Sequence, residues 1–233
     1  MPSCRSYARI VIVLLGGSPR RGRGPEIAGV AMPEAGNAVL ICGDACPSFT
    51  TAHTVCAYAA EKLAAAGWRA RVVFAGDLLR EGNCVRNLKI LLEGSSLLMV
   101  AFASAGGSLP APLVKILEAI AAARSAGQDT GLLRLAAIGC FPCGGADAEN
   151  ALDMCRSFAK GTGMEWSGGL AVCGWFTGGK PFAATGAGAA RLRKGLDAAM
   201  QSLAAGQAIP ESAMEQVSQP PDLSSLKSSV KKF

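Results

Sequence analysis

The chain has 233 residues, half of them hydrophobic, which suits one domain with an appendage at either end and a full buried core. Its net charge is +6, and several of its positive residues sit in two short runs, Arg20, Arg21 and Arg23 near the start and Lys227, Lys231 and Lys232 at the end. These read as solvated tails, and the few aromatics are not interleaved with them, so nucleic acid is not an expected partner.

Residues 1–36 read as a loosely ordered extension in which residues 9–15 suit one strand. Residues 10–15 follow Arg5 and Arg9 as a signal peptide's apolar run would, but the run is short and leads into Gly16-Gly17-Ser18-Pro19-Arg20 without a cleavage pattern. The main domain is expected over 37–206. Residues 38–42 (AVLIC) form a short buried strand and 43–48 a loop. A helix follows over 50–66, with Val55, Ala59, Leu63 and Ala66 on one face and Gly67 closing it. Residues 69–74 make a second strand centred on Val72 and Val73, and 87–93 a short helix. Residues 97–102 (LLMVAF) are apolar without alternation, as in a strand buried on both faces of a parallel sheet.

That strand breaks into Ser104-Ala105-Gly106-Gly107-Ser108, small residues that let a backbone approach a ligand closely. Pro110 and Pro112 then prepare a helix start, and Leu113, Ile116, Leu117 and Ile120 give it one apolar face, ending near Arg124. Residues 132–140 form a fourth strand. Asp147 is the expected N-cap of a helix carrying Leu152, Cys155 and Ala159. Residues 169–173 form a fifth strand, and a last helix over 187–205 buries Leu192, Leu196, Ala199 and Leu203 before Gly206. The tail, 207–233, holds Pro210, Pro220 and Pro221 and shows little periodicity. Strands alternating with helices predict an α/β fold, a doubly wound parallel sheet with helices on both faces. Ligands of such sheets sit outside the carboxyl ends of the strands.

Nine cysteines, an odd number, argue against a secreted disulfide framework and for a reducing compartment. No stretch approaches the roughly 20 apolar residues of a membrane span. A cytoplasmic protein without a membrane partner is expected.

The first loop, 43–54 (GDACPSFTTAHT), joins a buried strand to a helix start, where free N–H groups and the helix dipole favour a phosphate. Ser48, Thr50 and Thr51 add hydroxyls there, or serve only to cap the helix; Asp44 opposes an anion. The loop is neither a Walker loop nor a dinucleotide fingerprint. His53, the single histidine, stands on the first helix and reads as a surface or packing residue. Cys140 and Cys143 flank two residues at a strand end, either as a redox dithiol or as small residues of a tight loop. A metal centre is not expected, since no second such pair exists and no histidine lies nearby in sequence.

With its loops in this order, the chain resembles the flavodoxin-like NAD(P)H-dependent FMN reductase family over roughly 38–206. The family's G-S-P-[RK] phosphate loop corresponds to Gly43-Asp44-Ala45-Cys46, followed by Ser48, Thr50 and Thr51; the glycine and hydroxyls match, and the serine, proline and basic residue do not. A closer copy, Gly17-Ser18-Pro19-Arg20, has no helical pattern behind it. The second flavin loop resembles Ser108-Leu109-Pro110-Ala111-Pro112-Leu113, with Ser104 and Ala105 where the family has a tyrosine. The third would be residues 139–144, and Trp166-Ser167-Gly168-Gly169-Leu170 leads into the fifth strand as in some members.

The resemblance implies a five-stranded sheet of order 2-1-3-4-5 and FMN held by Gly43, Ser48, Thr50, Thr51, Ser104, Gly106, Gly107, Ser108, Leu109, Cys140, Phe141 and Gly144. It implies hydride transfer from NAD(P)H to FMN and on to a small-molecule or protein electron acceptor, in a homodimer. The flavin does that chemistry, so no side chain need act as acid or base. Two other readings stay open: a flavodoxin-fold binding or regulatory protein without flavin, and a thiol-redox protein using Cys140 and Cys143.

Overall fold

A computed structural model of the chain describes residues 36–44, 51–80, 82–104, 106–125, 133–142, 145–173 and 187–219. The extra strand expected at 9–15 lies outside them. In chain order the elements are β1 (Asn37–Cys42), α1 (Thr51–Ala65), β2 (Arg69–Phe74), α2 (Ala75–Arg80), α3 (Cys84–Leu92) and β3 (Leu97–Ala103). There follow α4 (Ala111–Ser125), β4 (Arg134–Phe141), α5 (Ala146–Gly161), β5 (Glu165–Cys173), α6 (Ala187–Ala204) and α7 (Glu211–Ser218).

The five strands form one parallel sheet of order β2-β1-β3-β4-β5, as the resemblance implies. Successive side chains of a strand point to opposite faces, so each central strand feeds two cores. Leu40, Cys42, Met99, Ala101, Ile138 and Cys140 meet α1, α6 and α7 on one face. Ile41, Val100, Phe102, Ala137 and Phe141 meet α2 to α5 on the other. The edge strand β2 differs, since its Arg69 and Arg71 are exposed.

The helix faces follow the apolar spacing. Leu113, Ile116, Leu117 and Ile120 of α4 are buried, as are Val55, Ala59 and Leu63 of α1 and Leu192, Leu196, Ala199 and Leu203 of α6. Ala66 departs from its expected place on the α1 face: it lies beyond the last turn and is exposed, because the chain turns away at Gly67, whose φ of +89° ends the helix. Asp147 is not the N-cap of α5. The helix begins at Ala146 behind Gly145, which leaves Asp147 inside the first turn, where its charge still suits the dipole.

Three pieces depart further from expectation. Helix α2 is only six residues long, too short to show a period. Strand β5 begins at Glu165, and its register against β4 shifts between Leu135 and Ala136, so that Trp166 and Gly168 face consecutive β4 residues with Ser167 between them. Such a bulge breaks the strand pattern. Third, the weakly periodic stretch after Ala208 contains α7. It buries only Ala213 and Val217, too narrow a stripe to stand out in sequence. It is tied down by the Ile209 N–H, which donates to the Ser167 carbonyl at 2.7 Å, and by close packing on α6, where a Cβ on Gly195 would lie 2.6 Å from Val217 Cγ2.

Candidate functional site

Helix α1 leaves β1 towards one face of the sheet, while α4 leaves the neighbouring β3 towards the other. Between the carboxyl ends of these two strands the connections diverge, and a doubly wound sheet has its binding crevice at that point.

The crevice floor is built from backbone and one carboxylate. The Gly43 N–H donates to the Ala101 carbonyl at 2.7 Å, extending the β1–β3 ladder. Leu113 and Phe102 close around Gly43, where a Cβ would come within 3.0 Å of Leu113. Asp44 then turns back across the gap, and its Oδ1 accepts from the Ala103 N–H at 3.0 Å. Asp44 is only 9% exposed, and its Oδ2 is buried without a hydrogen-bond partner among the described residues. A buried oxygen of this kind calls for a donor.

The loop after β3 forms the next wall. The Ser104 N–H donates to the Cys140 carbonyl at 3.0 Å, and the Ser104 hydroxyl donates to the Ser108 carbonyl and closes the loop. Gly106 and Gly107 have φ of +83° and +70°, conformations that a side chain disfavours. Gly107 lies against α5, where a Cβ would sit 3.1 Å from Asp147 Cα. Gly106 and Ser108 face solvent, and Leu109 is buried and anchors the loop.

The fold thus brings Gly43, Thr51, Ser104, Gly106, Gly107, Ser108 and Leu109 to one edge of the sheet, Thr51 as the buried first residue of α1. Ser48, Thr50, Cys143 and Gly144 lie outside the described residues. Cys140 and Phe141 reach this edge only with their backbone. Their side chains are fully buried, Cys140 in the core beneath α1 and Phe141 edge-on to Phe102 with ring centroids 6.1 Å apart. A strand covered on both faces turns every side chain into a core, so these two present no side chain to a ligand. His53 packs beside Phe74, its ring 5.2 Å from that ring, in keeping with a packing role.

Cys42, Cys56 and Cys140 share the core beneath the crevice. Burial pushes the Cys42 thiol up to about 12. It pushes Cys56 and Cys140 well up too, with neighbouring thiols and the Asp44 carboxylate adding to the effect. A thiol attacks as its thiolate, so Cys140 is poorly suited to redox exchange. Among the described residues no group of three or more cysteine, histidine or carboxylate side chains is placed to hold a metal ion. The bridge from Asp44 to Ala103 was the feature sequence reading missed; the sign was a carboxylate directly behind a strand with no polar residue in its last five positions.

The order of the strands and the helices on both faces define a flavodoxin-like α/β fold. No protein-family model matches the chain, and no curated protein matches it. Among solved structures it is similar to an NADH:FMN oxidoreductase (EMOB) in its apo form, at 18% identity and a TM-score of 0.55, over 77% of this chain and 94% of that one. It is also similar to the rubredoxin oxygen:oxidoreductase of the anaerobe Desulfovibrio gigas, at 11% identity and a TM-score of 0.52, over 78% of this chain and 37% of that one. At such identities the likeness is one of fold. No helix among the described residues is long and apolar enough to cross a membrane.

Proposed function

We propose that the chain is a flavin-dependent oxidoreductase that passes hydride from NAD(P)H through FMN to a small-molecule or protein acceptor. The observation that carries this reading is the crevice between β1 and β3, walled by the Ser104–Ser108 contact, in a fold that matches an NADH:FMN oxidoreductase over 94% of that chain.

FMN combines a phosphate, a polyol chain and a flat ring bearing acceptors and one N–H. The donor set fits most of it. The positive dipole end at the start of α1 suits an anion. Gly106 and Gly107 offer bare backbone to a flat ring, and the Asp44 Oδ2 suits a hydroxyl or a ring N–H. Asp44 alone is at odds with the phosphate. When bound, the flavin would supply the hydride chemistry, while the loops bind and orient it and the buried floor keeps water from its inner face. The thiol-redox reading loses ground because Cys140 is buried and its thiol is held protonated.

A visible absorbance scan of purified protein, repeated after adding flavin and desalting, tests the proposal. A retained flavin band that bleaches with NADH or NADPH is the expected outcome. Protein that stays colourless after excess FMN and excess riboflavin overturns it in favour of a fold that has lost its flavin.

A further inference from the structure

Helices α1 and α6 cover one face of the sheet, and towards the amino end of the strands they part and leave a groove of about 350 Å³. Its lining is mostly apolar: Ala66 beyond the end of α1, Met200 and Ala204 on α6, and Ala205 just after it. Ala66 and Ala205 are exposed, and apolar lining left to water is unfavourable. At the rim Lys62 pairs with Asp197 at 2.9 Å, and the Tyr58 hydroxyl donates to the same carboxylate at 2.7 Å. The two rim charges offset each other, so the groove suits an uncharged occupant.

The chain enters the sheet beside this groove. The Gly36 carbonyl accepts from the Arg69 N–H at 2.9 Å, and a Cβ on Gly36 would lie 2.6 Å from the Trp68 ring. The same indole donates from Nε1 to the carbonyl of Ala204, a lining residue, at 3.2 Å. Residues 1–35, which lie outside the described residues, therefore join the sheet about an indole's width from the groove. Their apolar stretch nearest to Gly36 is 27–32 (IAGVAM), which carries no charge. The four residues from Met32 to Gly36 reach up to about 14 Å. Pro33 disfavours a helical Met32, and in extended backbone Val30 and Met32 project to one side. The far end of the described chain is placed elsewhere. The Gln219 carbonyl accepts from Arg191 in the second turn of α6, and the tail beyond it carries Lys227, Lys231 and Lys232.

From this we infer that the groove between α1 and α6 is a docking site for the chain's own residues 27–32, with Val30 and Met32 filling it. The segment acts as a strap across the amino end of the sheet. The crevice lies at the opposite, carboxyl end, so the strap leaves it open, and the inference stands apart from the flavin reading.

Photo-crosslinking of the full chain tests this, with p-benzoylphenylalanine in place of Val30 and the adducts located by mass spectrometry. The expected product is an intrachain adduct on Met200 or another residue of the groove. Ala205→Trp sets an exposed ring over the groove and is expected to abolish that adduct while the far-ultraviolet circular dichroism stays unchanged. An adduct that persists undiminished in Ala205→Trp overturns the inference, as does an adduct mapped away from the groove or none at all. An interchain adduct at Met200, seen as a doubled mass, assigns the groove to a second copy and overturns it too. If Ala205→Trp fails to fold, the adduct map obtained without it decides by itself.

Discussion

Arg134 shows how much a single residue can carry at the end of the sheet away from the crevice. It opens β4, is 8% exposed, and its Nη2 donates to the Leu203 carbonyl at 3.1 Å, near the end of α6. Its guanidinium carbon lies 5.8 Å from the centre of the Trp68 ring, and Trp68 Nε1 donates to the Ala204 carbonyl at 3.2 Å. A buried cation is unfavourable unless it is hydrogen-bonded, and here the negative end of the α6 dipole and the indole face offset the lost hydration. The offset is incomplete, since Nη1 is buried without a hydrogen-bond partner among the described residues. Arg134→Ala is expected to lower the unfolding free energy by about 2–4 kcal/mol, with Arg134→Met losing clearly less because it refills the space. Urea unfolding of the two variants checks this, and equal losses would mean that volume plays no part.

Among the elements, β5 places the strictest demand on its sequence. Gly168 follows the bulge with a φ of +114°, and a Cβ there would lie 2.9 Å from Ile209 Cβ. Ile209 is the residue whose N–H reaches the Ser167 carbonyl and leads into α7. Gly168→Ala should therefore destabilise the protein by about 2–3 kcal/mol, through backbone strain and overpacking together. Amide exchange should report the change as faster opening of α7 ahead of α4; uniform acceleration across the sheet would refute that account.

The same elements show what was legible in sequence. Helices α1, α4 and α6 bury broad apolar faces, and β3 is unbroken in its hydrophobicity, so their periods stand out. The bulge in β5 and the two-residue stripe of α7 leave no such period. In the site, the loop after β3 was legible because its glycines mark left-handed backbone. The inward turn of Cys140 and Phe141 was not: all eight residues of β4 are buried, and with no polar residue after Arg134 the strand hides which side chains serve which face.

For the molecule as a whole, buried thiols tie stability to alkaline pH. Burial raises Cys42 and Cys155 to about 12, from an ordinary value of 9.0. Their folded values lie above their unfolded ones, so the stabilisation is complete below about pH 9 and is lost as pH rises towards 12. Tyr58 and Lys62 follow the same sign, Tyr58 raised first by burial and then by its 2.7 Å bond to Asp197, Lys62 first by its hydrogen bond to Asp197. Both are half-buried where Cys42 and Cys155 are fully buried, so the thiols dominate. The unfolding free energy is expected to fall by up to about 1.4 kcal/mol per pH unit for each such thiol above pH 9. Denaturant midpoints between pH 8 and pH 11, with Cys155→Ala as a shallower comparison, measure the slope; a flat profile would contradict it.

The two arginines on β2 bear on how copies of this chain behave when crowded together. A parallel sheet that does not close on itself offers an unsatisfied row of amides and carbonyls along its rim, ready to template another strand. Arg69 and Arg71 project from that rim two residues apart, both exposed, and two such rims brought edge to edge would set cation against cation. Charge that lies away from the crevice thus disfavours pairing of one copy's β2 border with another's.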